Sequence, residues 1–77
     1  MAKIAYTLLL GYFDSEDPEV YYDSETPFGP FNVGEKVLPD PNVFQDRSGE
    51  WLTIDRIEHT VFQVRDKIIQ KTHLYLK

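Results

Sequence analysis

The sequence predicts an all-β fold: one small domain of five strands, curled in meander order into a small, partly open barrel. Three observations predict it. Apolar side chains recur at every second position through Lys3–Phe13, the period of a half-buried strand. Clusters of Gly, Pro, Asn and Asp then interrupt the chain too often for helices of ordinary length. Finally, 77 residues leave room for a single domain, which hides only about 63% of its unfolded surface and so builds a thin core.

The first strand, Lys3–Phe13, sets Ile4, Tyr6, Leu8, Leu10 and Tyr12 on one face and Ala5, Thr7, Leu9, Gly11 and Phe13 on the other. Both faces are apolar at its middle, which predicts a central strand, or one that bends at Gly11 from one covering layer to another. Periodicity stops at Asp14. Six carboxylates (Asp14, Glu16, Asp17, Glu19, Asp23 and Glu25) fall within twelve residues without a base, and Pro18, Pro27 and Pro30 bar a continuous helix. Residues 14–30 therefore read as a long acidic surface loop between the first and second strands, with room for one helical turn at Ser15–Pro18. Loops of this length in compact domains are usually functional or disordered, and Val20, Tyr21, Tyr22, Phe28 and Phe31 argue against pure disorder.

The second strand reads Phe31–Leu38, with Gly34 placing a turn or bulge early in it, and Pro39–Asn42 stops it. Asp46–Glu50 is a turn cluster. The third strand, Trp51–Glu58, slips phase between Ile54 and Ile57, which predicts a bulge near Asp55 and Arg56. Val61–Arg65 reads as a short fourth strand, Asp66–Lys67 as a hairpin tip, and Ile68–Leu76 as the last strand. Tyr6, Phe13, Phe31, Trp51 and Phe62 are the expected aromatic core. Tyr12, Tyr21, Tyr22, Phe28 and Tyr75 are harder to hide in a small barrel.

The run Phe31-Asn32-Val33-Gly34-Glu35-Lys36-Val37 followed by Trp51-Leu52-Thr53-Ile54 resembles the pattern of SH3-like small barrels, in which a glycine and a charged residue open one strand and an aromatic begins the next. The resemblance covers about 30 residues and implies a fold without an activity.

Charge is unevenly divided. Residues 1–50 hold ten acids and three bases, and residues 51–77 hold three acids and five bases, for a net charge of -5. An acidic balance disfavours nucleic acid and anionic membranes, whose affinity comes from Lys and Arg. Without cysteine there is no disulfide, thiolate ligand or thiol nucleophile, and no cofactor is implied. Neither a signal peptide nor a membrane span fits the first residues, and a cytoplasmic location is expected.

Four groups of residues are candidate sites. The acidic segment, with Asp14, Glu16, Asp17, Glu19, Tyr21, Tyr22, Asp23, Glu25 and Phe28, is expected to dock a protein partner or complete a homodimer, or else to copy the charge spacing of a nucleic-acid backbone or to solubilise the chain. Its spacing does not match a calcium loop. Thr26–Phe31 reads equally as a lid over the open barrel end. Arg56, Arg65, Lys67 and Lys71 alternate with apolar positions and form the alternative, a nucleic-acid-binding sheet. His59 and His73 are fourteen apart and would meet across neighbouring strands as a base or ligand pair, but a third ligand is missing, and Ser48 lacks a nucleophile-elbow pattern. The expectation is a non-enzymatic interaction module, of the kind that phages and mobile elements carry as accessory or inhibitor proteins.

Overall fold

The alternation at Lys3–Tyr12 does produce a strand, and it is central. The computed structural model describes residues 3–77, in which β1 (Lys3–Tyr12), β2 (Val20–Ser24), β3 (Lys36–Val37), β4 (Leu52–Val64) and β5 (Lys67–Leu76) form one sheet in the order β2-β1-β5-β4-β3. The sheet curls into half a barrel. A single 3-10 turn covers Gln45–Arg47, and no α-helix occurs among the described residues. None of their helices is long and apolar enough to cross a membrane.

The meander order is corrected. β1 and β2 form an antiparallel hairpin and β4 and β5 another, but β1 joins β5 in parallel, from Lys3 opposite Lys67 to Tyr12 opposite Leu76. Strands apolar on both sides at mid-length suit this buried parallel pairing. The long loop at 14–30 is corrected as well, because Val20–Ser24 pairs with Tyr6–Leu10 and leaves only Phe13–Glu19 as the connection. Two tyrosines and a valine at strand spacing outweigh the acids around them.

The expected strand over Phe31–Leu38 shrinks to Lys36–Val37, since Asn32–Glu35 forms a turn whose Glu35 carboxylate accepts from the Asn32 amide. The two expected strands at 51–58 and 61–65 are one strand, β4, and its register slips between Ile54 and Arg56 as the phase of the sequence predicted. The tip lies one residue early, at Arg65–Asp66, where Arg65 takes φ 59°.

The core occupies one end of this sheet. Leu8, Leu10, Leu52, Ile54, Leu74 and Leu76 point inward from three strands, and Phe44, from the irregular segment before β4, lies over them with no exposed surface. Tyr12 packs edge-on against Phe44 at 5.1 Å between ring centroids. Each fully buried leucine contributes about 1.5–3 kcal/mol. Phe28, Phe31, Val37 and Val43 are partly buried and pack against this cluster.

The aromatic core is otherwise corrected. Phe13 and Trp51 are half or more exposed, Phe62 is exposed, and Tyr75 is buried. Phe44 was missed because nothing periodic surrounds it.

Among the described residues, the opposite end of the sheet has no second layer. From Ile57 to Val64, β4 has β5 on one side and no strand on its outer edge among the described residues, because β3 pairs only with Leu52 and Thr53. Ile4, Tyr21, Tyr22, Val61, Phe62 and Val64 are all exposed there. The molecule measures 42 × 23 × 20 Å. Its radius of gyration is 13.2 Å, whereas a compact chain of this length has roughly 11.5 Å.

Candidate functional site

Side chains alternate across a strand, and directly paired residues share a face, so the registers sort every candidate. The face carrying Leu8, Leu10, Leu74 and Leu76 is the inner face. At the uncovered end it presents Ile4, Tyr22, His59 and Val61. The other, outer face takes Tyr21 and Asp23 from β2, Thr7 and Leu9 from β1, Ile69, Lys71, His73 and Tyr75 from β5, and Arg56, Glu58 and Phe62 from β4. This sorting divides the predicted interaction residues. Tyr21 and Asp23 lie on the outer face and Tyr22 on the inner one, while Phe28 is half-buried against the core. Asp14, Glu16, Asp17 and Glu19 stay exposed in the β1–β2 connection, and Glu25 follows β2 on the outer side.

Toward the core end, the outer face holds a polar cluster. The Tyr75 hydroxyl donates to Glu58 Oε1 at 2.6 Å, Arg56 sits 4.0 Å above the Tyr75 ring, and His73 stacks on that ring at 4.0 Å. The hydrogen bond to Glu58 and burial both raise the Tyr75 pKa above 10.0. Burial lowers the His73 pKa below 6.5, although Glu58 opposes the shift, and its Nε2 has no hydrogen-bond partner among the described residues. The β1–β2 connection causes this burial, since it crosses the face so closely that a Cβ on Gly11 would lie 3.2 Å from Pro18 Cα and 3.3 Å from His73 Nε2.

His59 is on the inner face beside Thr72, so the two histidines do not meet. No group of three or more metal-ligating side chains is present among the described residues.

Beyond the cluster, the outer face opens into a groove. Leu9 and Ile69 form its floor, Tyr21 and Phe62 stand at its sides, and Lys71 Nζ lies 5.6 Å above the Phe62 ring. Thr7 Oγ1 donates to Asp23 Oδ1 at 2.8 Å and holds the acid at the rim. This groove and its neighbour toward Lys67 have volumes of about 260 and 320 Å³ and are open to solvent. Pockets for small ligands are enclosed and mostly larger, so this is a contact surface rather than a chamber.

The basic candidates Arg56, Lys67 and Lys71 do share this outer face, with Arg65 at the tip. Arg56 is engaged by Tyr75 and Glu58, and Asp23 and Glu25 stand on the same side as the lysines. Sequence reasoning placed Tyr21, Asp23 and Lys71 in competing sites, whereas the structure puts all three around one groove. It missed Leu9, Ile69 and Phe62 as parts of that surface. Their alternation was visible, but the pairing of β1 beside β5 was not. Compared with known proteins, the chain matches no family model, no curated protein and no solved structure.

Proposed function

We propose that this protein is a non-enzymatic protein-interaction module whose contact surface is the outer face of the uncovered sheet end. One observation carries the reading: a β-sheet is stable when its apolar faces are covered, and this end has a single layer with Tyr21, Phe62 and Val64 exposed. Aromatics over an aliphatic floor, rimmed by Asp23 and Lys71, have the composition of a protein contact. The SH3-like resemblance carries no activity, and the accessory or inhibitor role stays a narrower form of the same proposal.

Photo-crosslinking tests it. A photoreactive side chain placed at Tyr21, on the groove, is expected to yield a protein adduct in native-host extract, whereas the same group at exposed Val33, outside the groove lining, yields none. Equal or absent adducts at both positions sink the reading.

A further inference from the structure

A 9.0 kDa chain that folds compactly exposes roughly 4,900 Å². This one exposes 5467 Å². The surplus is roughly 600 Å², close to the roughly 800 Å² that each partner hides in a stable interface.

The charges say what the partner is. Although the chain carries a net charge of -5, the outer face is not acidic, because Asp23 and Glu25 flank β1 on one side while Lys67 and Lys71 flank it on the other. Asp23 and Lys71 are on the same rung, opposite Thr7 from either side. Among the described residues neither forms an ion pair. A strongly basic or acidic partner would be repelled by half of this surface. On the Thr7 rung a second copy matches both signs, provided that it is turned about an axis along β1.

Resting on the interaction reading above, we infer that the groove is covered by a second copy of this chain, with the two outer faces packed together about a two-fold axis running along β1. Such an axis keeps each rung at its own height and exchanges the two flanks, so β2 of one copy lies over β5 of the other. Asp23 then faces Lys71 of the second copy twice over, and Leu9 faces its own counterpart. An axis across the strands would instead set acid against acid. An isologous contact must be self-complementary in this way, and packed sheet faces keep their strands nearly aligned.

Sedimentation equilibrium from about 1 μM to about 1 mM protein tests it, in the range where weak dimers appear. The expected result is a reversible species of twice the 9.0 kDa chain mass. Asp23→Lys and Lys71→Asp each weaken it about tenfold or more by placing like charges together, and mixing the two variants restores it, because every contact in the mixed pair is then of opposite sign. Far-UV circular dichroism confirms that both variants fold.

A dimer indifferent to both substitutions, as one joined along the outer edge of β4 would be, overturns the proposal. A 9.0 kDa mass throughout, with adducts at position 21 still forming to other proteins, overturns the second copy and spares the interaction reading. The same mass with no adduct removes both.

Discussion

The two ends of this sheet use the same strands to opposite effect. At the core end, residues 74–76 of β5 are buried, with Leu74 and Leu76 under Phe44 and the mostly irregular segment 25–51 on one face and Tyr75 on the other, where the β1–β2 connection crosses. A few residues earlier, Ile69 and Lys71 of the same strand line an open groove. Strand propensity alone does not distinguish the ends, since isoleucine, valine and aromatics are common to both. The difference is made by loops. Burial in a small β protein is decided by which irregular segments fold back over which rungs.

The widest break in this comparison comes from substituting one phenylalanine in each half. Phe44→Ala is expected to cost about 3–5 kcal/mol, because a wholly buried ring leaves a cavity that the thin core cannot refill. Phe62→Ser is expected to stay within about 1 kcal/mol when urea unfolding is followed at a dilution where association does not contribute. Equal losses for both would mean that the two ends share one core.

Gly11→Ala probes the border between the halves. Its new methyl would press on the backbone of Asp17 and Pro18, and moving that connection is expected to cost about 1–2 kcal/mol in the same unfolding measurement.

The smallest effect is electrostatic. Burial holds the His73 pKa below 6.5 in the folded chain, so the unfolded chain takes up the proton first as pH falls. Stability is therefore full above about pH 6.5 and declines below it. In denaturation midpoints between pH 7.5 and 5, His73→Gln is expected to lose less stability than the parent chain. Parallel curves would show that His73 is not sheltered by the connection.

Much of the fold was legible, and for identifiable reasons. The alternation from Ile4 to Tyr12 marked the strand, the slip between Ile54 and Ile57 marked the bulge, and the polar residues after Val64 marked the tip within one residue. Val20–Ser24 was hidden because Glu19, Asp23 and Glu25 masked a strand that is only five residues long. Phe44 sits among Pro41, Asn42 and Asp46, where no period exists to reveal an inward side chain. Lateral order is a non-local property. Nothing in the residues of β1 states that its neighbour is β5, so Tyr21 and Phe62 could not be placed around the same groove.

The parallel pairing of β1 with β5 also bears on how the chain reaches this state. β1 is made early, yet its pairing along ten residues, from Lys3 to Tyr12, waits for the stretch from Lys67 to Leu76. Until β5 is made, the short β2 is the strand of this sheet that shields Leu8 and Leu10. Closing so long a loop before contacts reward it slows folding relative to sheets built from neighbouring hairpins. Each nascent molecule thus passes through an interval in which its most apolar strand is paired on one side only.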